Sequence, residues 1–317
     1  MSVRYVIVES EIGAGTRGSS LGVKAMEVVG WNKQSEILAK YNHKIVEVFN
    51  NDLYKTVDTP NAIRIESVVK VLTNVADAVH QTVDTEFPVV LSGDHSIAAG
   101  TIAGIKKAYP SKRLGVVWID AHADIHSPFT TPSGNVHGMP LAAALGLDNL
   151  ELKINELSEK ESAGWNAMKN LSGVCPSVLP EDTVYFGVRD TEEQEDEIIE
   201  NQEIRNFLVE EIRYRGMDVC LTEAIERLDN CDLIYISFDV DSMDCDLISY
   251  GTGTPVSKGF DEVEIKEIIS GFLETEKVAC LEFVEINPTL DEKKNKMAET
   301  AFEILEEVLP IIEKLNN

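Results

Sequence analysis

Apolar residues along this chain fall into short unbroken blocks, separated by longer stretches where they recur every three or four positions. Six blocks are rich in β-branched and aromatic residues: "VRYVIVE" (3–9), "PVVLSG" (88–93), "LGVVWID" (114–120), "TVYFGVR" (183–189), "LIYISFDVD" (233–241) and "VACLEFVEI" (278–286). Consecutive rather than alternating apolar residues predict strands covered on both faces. Segments 62–83, 96–108, 261–275 and 296–315 carry an apolar stripe near period 3.6 and predict helices. "EEQEDEIIENQEIR" (192–205) predicts an acidic helix with a solvated outer face. Strands alternating with helices imply an α/β fold, a three-layer α/β/α sandwich with a parallel sheet. No internal repeat or low-complexity linker divides the chain, and the aperiodic segment 147–181 reads as an excursion within one domain spanning 1–317.

Ligands of such sheets sit beyond the carboxyl ends of the strands. "SGDH" (92–95), "DAHADIH" (120–126), "FDVDSMD" (238–244) and "EFVEINP" (282–288) all fall there, so four strand ends converge on one rim. In "DAHADIH" the side chains of Asp120, His122, Asp124 and His126 alternate and share one face if the backbone is extended. A lone strand-end aspartate is ordinarily a helix cap or turn residue. Here His95 and His122 would meet Asp120, Asp124, Asp239 and Asp241, and ionised carboxylates at that density repel unless a cation lies among them. With no cysteine in the set, oxygen-rich donors suit manganese, magnesium or iron(II) better than structural zinc. Six ligands exceed what one octahedral ion with a bound water needs. A carboxylate-bridged pair, about 3.5–4 Å apart, can generate a nucleophile from water and points to hydrolysis. His126 extends the alternation as a spare ligand or a contact on the substrate side.

Composition narrows the partners. With 28 basic and 55 acidic residues the formal charge is −27, which repels nucleic acid and anionic lipid and attracts small cations. No stretch approaches the roughly 18 apolar residues of a membrane span. Five cysteines, odd in number and without a C-x-x-C pair, together with an opening unlike a signal peptide, imply a reduced cytoplasmic protein. "GAGTRG" (13–18) fits the dinucleotide pattern G-x-G-x-x-G but lacks a convincing acid at the end of a second strand, so it reads as a tight turn.

"GDHS" (93–96), "DAHADIHSPFTTPSGNVHG" (120–138), "SFDVDSMD" (237–244), "GTGTP" (251–255) and "EFVEINP" together resemble the arginase branch of the ureohydrolase family, over nearly the whole chain. The resemblance implies the ureohydrolase fold and two Mn2+ per subunit. His95, Asp120, Asp124 and Asp239 match the ligands of one ion; His122, Asp120, Asp239 and Asp241 match those of the other, with Asp120 and Asp239 bridging. It implies hydrolysis of a guanidinium group to urea and an amine, L-ornithine when the substrate is L-arginine, through attack by metal-bridging hydroxide. Asp124 matches the acid that protonates the departing amine, His137 the mobile proton shuttle, and Glu285 the carboxylate that orients the guanidinium, supported by Thr254. Thr131 and Ser133 match contacts to the substrate carboxylate; Glu192 and Glu195 match acids facing its amino group.

The chain departs from the family pattern at His126, where arginases usually carry asparagine, and at Glu192, where they carry aspartate. Ser242 and Cys245 replace the usual glycine and proline, and their loop is one residue longer. These departures keep agmatinase, guanidinobutyrase and formimidoylglutamase activities as competing expectations. Family members commonly assemble as trimers or hexamers, and a homo-oligomer is expected.

Overall fold

The eight strands form one sheet in the order β2-β1-β3-β8-β7-β4-β5-β6, and every neighbouring pair runs parallel. The structure, a computed structural model, describes residues 2–315. The strands are β1 (Ser2–Val8), β2 (Asn42–Ile45), β3 (Glu86–Ser92), β4 (Leu114–Ile119), β5 (Thr183–Phe186), β6 (Arg205–Phe207), β7 (Leu233–Asp239) and β8 (Val278–Val284). The helices are α1 (Gly22–Lys33), α2 (Ile37–Lys40), α3 (Ile65–Val83), α4 (Ile97–Ala108), α5 (Pro140–Leu145), α6 (Glu159–Lys169), α7 (Glu193–Asn201), α8 (Val209–Arg215), α9 (Met217–Arg227), α10 (Glu262–Leu273) and α11 (Lys296–Leu315).

The unbroken apolar blocks are explained by two cores, one on each face of the sheet. In β7, Ile234, Ile236 and Phe238 point into a core shared with α1 and α8 to α11. Tyr235 points the other way, into a core shared with α3 to α7. Successive strand residues face opposite sides, so a strand buried on both must be apolar throughout. The expected three-layer α/β/α sandwich is the observed architecture.

All six predicted strands are present, and the differences lie at their ends and edges. The block 183–189 stops as a strand at Phe186, because Gly187 turns with φ +89°. The block 233–241 stops at Asp239, where a 3-10 turn over Val240–Ser242 begins. β2 and β6 carry no apolar block; both are short edge strands, and no residue of β2 is buried. Segment 192–205 is helical only as far as Asn201 and then enters β6. The excursion 147–181 contains α6, which starts at a reciprocal cap: Ser158 accepts from the Glu161 amide and Glu161 accepts from the Ser158 amide. The helices α1, α2, α5, α8 and α9 lie outside the predicted set.

The strands that end in the polar clusters, β3, β8, β7 and β4, are adjacent at the centre of the sheet. Chain order runs outward from this quartet on both sides, and a crevice opens at such a reversal. Gly93 closes the end of β3 against the first loop. Its amide donates to the Val8 carbonyl at 3.0 Å and its carbonyl accepts from the Glu285 amide at 2.8 Å. A β-carbon at Gly93 would run into the backbone carbonyl of Ser10, which cannot swing aside. Gly93→Ala is therefore expected to lower the urea-unfolding free energy by about 3 kcal/mol. Gly138→Ala, whose added carbon meets nothing within 4 Å, is expected to leave that free energy within about 0.5 kcal/mol.

Candidate metal centre and active site

A cleft of about 410 Å³ opens over the central strand ends. Every predicted site residue lines it except Asp120, which lies fully buried beneath. At its floor His95 Nδ1 stands 3.0 Å from Asp120 Oδ2, 3.1 Å from Asp124 Oδ2 and 3.1 Å from Asp239 Oδ2. Beside it, His122 Nδ1 stands 3.1 Å from Asp241 Oδ2 and 3.5 Å from Asp120 Oδ1. Five of the six form two groups that share Asp120, and Asp124 joins the first through His95; Asp239, expected to bridge as well, falls in the first group alone.

Neighbouring atoms fix how each ligand faces. The Asp120 carboxylate accepts from the His122 amide (2.7 Å) and from Trp118 Nε1 (2.9 Å). Asp239 accepts from the Asp241 amide (2.8 Å), and Asp241 from the Ala121 amide (3.2 Å). The His95 ring stacks on Trp118 with centroids 4.1 Å apart, and its Nε2 lies 2.7 Å from Ser237 Oγ. With Nε2–H given to Ser237, Nδ1 keeps its lone pair for the centre, the arrangement that orients metal-binding imidazoles.

The donor set fits a metal. His95 Nδ1 is buried and has no hydrogen-bond partner, yet three carboxylate oxygens surround it at 3.0–3.1 Å. Donors around one octahedral ion lie about 3 Å apart. Burial, then repulsion by neighbouring acids, pushes the Asp239 and Asp124 carboxyls up. Burial also raises Asp241, against the pull of His122. Asp120 is buried too, but the neighbouring His122 and His95 imidazoles hold its carboxyl low. Metal charge removes this conflict without protonating the acids.

Backbone strain gathers at the same place. Asp124 (φ +49°) and Glu285 (φ +64°) both sit in the left-handed region, which costs a non-glycine residue about 1–3 kcal/mol and persists only where surrounding contacts impose it. The Asp124 carbonyl accepts from the Leu141 amide (3.1 Å) and the Glu285 amide donates to Gly93 (2.8 Å), holding both turns.

Glu285 Oε1 accepts from the His95 amide (2.9 Å) and lies 3.2 Å from His137 Nδ1. Burial alone would lower the His137 pKa, but hydrogen bonding to Glu285 overcomes it and raises the pKa to about 9. Thr254, expected to support Glu285, instead bonds Asp241 Oδ2 at 3.0 Å. Thr131 Oγ1 accepts from the amides of Ser133 (3.3 Å) and Gly134 (3.0 Å), while Ser133 Oγ accepts from the Asn135 amide (3.2 Å). His126, Glu192 and Glu195 meet on the outer wall.

Four supporting residues escaped the sequence reading. Trp118 and Ser237 precede Asp120 and Asp239 by two positions, so strand alternation puts them on the ligand face, a signal the apolar block concealed. Asp94 turns from the cleft; it accepts from the Gly13 amide at 3.1 Å and the Ser96 amide at 3.0 Å, tying "GAGTRG" to the start of α4. The Gly18 amide likewise donates to Glu11 Oε2 at 2.8 Å, so both of these glycine amides are spent internally rather than offered to a dinucleotide phosphate. Arg189 donates to five backbone carbonyls, those of Gly187, Asp241, Ser242, Val256 and Ser257, and staples the β7 turn to the loop after it.

Comparison with known proteins agrees with this geometry. The family model described as "Arginase family" matches residues 4–310. An arginase of Bacillus caldovelox is 34% identical over 310 residues, covering 96% of this chain and 96% of the relative. An arginase of Bacillus subtilis (strain 168) is 38% identical over 226 residues, covering 71% of this chain and 70% of the relative. The crystal structure of arginase from Bacillus subtilis subsp. subtilis str. 168 superposes with a TM-score of 0.82 at 30% identity, covering 98% of both chains. With a match from residue 4 to residue 310 and the same all-parallel fold, this chain belongs to the arginase family.

Proposed function

We propose that this protein is a manganese-dependent hydrolase that converts L-arginine to L-ornithine and urea, with residues 1–317 acting as one catalytic domain. The observation that carries the reading is the partnerless His95 Nδ1 among three carboxylate oxygens, at the floor of a cleft whose walls are acidic and suited to a cationic guanidinium.

His95, Asp120, Asp124 and Asp239 would hold one Mn2+, and His122, Asp120, Asp239 and Asp241 the other. Ions held there would neutralise the buried carboxylates and would supply a water of lowered pKa as nucleophile near neutral pH. Thr254 holds the Asp241 carboxylate by its hydroxyl and lines the cleft, where it also meets the substrate. Glu285 sets its carboxylate beside the planar guanidinium, where charge-assisted hydrogen bonds fix the carbon for attack. His137, 3.2 Å from Glu285, carries protons between the reacting atoms and solvent. Asp124 passes a proton to the departing amine nitrogen. Thr131, Ser133 and His126 receive the substrate carboxylate, and Glu192 and Glu195 its ammonium group. This two-ended recognition favours L-arginine over agmatine, which has no carboxylate.

Among the described residues no helix is long and apolar enough to cross a membrane. The cysteines Cys175, Cys220, Cys231, Cys245 and Cys280 are free, in keeping with a reducing cytoplasm. A homo-oligomer, trimeric or hexameric, is inferred from family resemblance.

With manganese present, urea release from L-arginine is expected to exceed release from agmatine by roughly 10³-fold in kcat/KM; a preference for agmatine would overturn the substrate assignment. His137→Ala is expected to lower kcat by roughly 10²–10⁴-fold while metal content by elemental analysis stays at two ions per chain. Chelation should destabilise the fold: at a metal concentration about 1,000 times Kd, the holoprotein is expected to gain about 4 kcal/mol. Calorimetry should register this as a lower Tm after metal removal, and Asp239→Asn should lose most of the metal-dependent increment.

A further inference from the structure

Outside the centre around His95, one other imidazole meets two carboxylates at ligand spacing. His126 Nε2 lies 3.2 Å from Glu192 Oε2 and 3.8 Å from Glu195 Oε2, and the three donor atoms lie within 4.8 Å of one another. Two donors about 2.1 Å from one tetrahedral ion stand about 3.4 Å apart, between the two measured separations. The trio is built rather than incidental. His126 is 5% exposed and Glu195 3%, so neither side chain can turn freely into solvent. The His126 ring is pinned at its other nitrogen by Thr130 Oγ1 (3.0 Å), and its amide donates to the Gly138 carbonyl (3.2 Å). Glu195 is pinned by the amides of Glu192 (3.3 Å) and Ile125 (3.4 Å) at the start of α7. Glu192 is the exposed member and faces the cleft, leaving a way in.

The charge is unbalanced as well. A single Nε2–H can be directed to only one of two carboxylates, so Glu195, at 3.8 Å, is left without a hydrogen bond from this ring. Two of the chain's departures from the arginase pattern, His126 and Glu192, are the two partners of the 3.2 Å contact. They change one shared feature.

We propose that His126, Glu192 and Glu195 form an additional cation site on the outer wall of the cleft, selective for a divalent ion of borderline softness such as Zn2+. One imidazole with two carboxylates makes three protein donors and leaves a fourth position open to water, as in catalytic rather than structural zinc sites. Magnesium and calcium, which prefer all-oxygen shells of higher coordination, fit it poorly. Because the site occupies the wall that receives the far end of the substrate, ion and substrate exclude one another.

The test uses the full-length protein loaded with Mn2+, freed of excess metal and titrated with Zn2+, with both metals counted per chain by mass spectrometry. The wild type is expected to gain about one zinc with its manganese unchanged, and His126→Asn and Glu195→Gln, folded by circular dichroism, to lose that increment. Zinc that enters only as manganese leaves reports exchange at the first centre and overturns the proposal. So does zinc uptake that His126→Asn leaves unaltered, or no uptake at all. In urea-release assays, zinc is expected to raise the KM for L-arginine with kcat unchanged, with an inhibition constant at least roughly tenfold weaker in His126→Asn. Should no guanidino substrate turn over, the function proposed above fails, and the metal count still decides the outer site independently.

Discussion

Four aspartates buried around two imidazoles cannot all ionise without compensating positive charge, and much of the architecture serves to keep them together regardless. Asp120, Asp239 and Asp241 are each at most 2% exposed, in surroundings where like charges repel far more strongly than in water. The fold imposes this by ending four adjacent parallel strands at one level, so that acids distant in sequence arrive side by side. His95, Asp120, Asp239 and Asp241 are then anchored by a backbone amide, an indole or a hydroxyl. Metal bound there would convert the repulsion into cohesion, and the strained backbone at Asp124 and Glu285 is tolerated because the flanking turns are held by their own hydrogen bonds.

The supporting shell divides the cleft into a rigid floor and a variable wall. The floor rests on strand residues and on side chains with no freedom: Trp118 against His95, Ser237 behind it, and Arg189 caged by carbonyls. The wall comes from the loop 126–137 and the turn before α7, where Thr131 and Ser133 hold neighbouring amides rather than other side chains. Precise placement matters most where bonds are made and broken. Recognition of the outer end of a substrate is more easily retuned on loops, which tolerate change.

Of the four departures that the family resemblance implies, His126 and Glu192 lie on the wall, whereas Ser242 and Cys245 lie in the loop after β7 that Arg189 holds. The His126 imidazole and the Glu192 carboxylate bring a nitrogen donor and an oxygen donor into contact. A surface for recognising an amino acid thereby also acquires the donor set of a metal site. Competition between ion and substrate follows from shared space and requires no conformational change.

Strand positions, the α/β class and the ligand cluster were legible in the sequence because each rests on a local rule. Two-sided burial makes strands continuously apolar, and the acids and imidazoles of "DAHADIH" announce metal chemistry by residue type, although the segment lies beyond β4 and bends, with Asp124 at φ +49°, so the alternation of an extended chain is not what brings them together. The edge strands β2 and β6 were not legible, since they bury too little to leave an apolar block, and the serine–glutamate cap of α6 lay in a segment without periodicity. Sequence spacing alone could not reveal that Asp94 braces loops instead of facing the cleft, that Thr254 bonds Asp241, or that Glu285 pairs with His137, 148 residues away. The pairing of His126 with Glu192 across 66 residues is of the same kind. Residue type and local periodicity determine which chemistry the chain carries; which side chains share an atom-to-atom contact depends on strand order and loop closure, and these are decided only when the whole sheet is assembled.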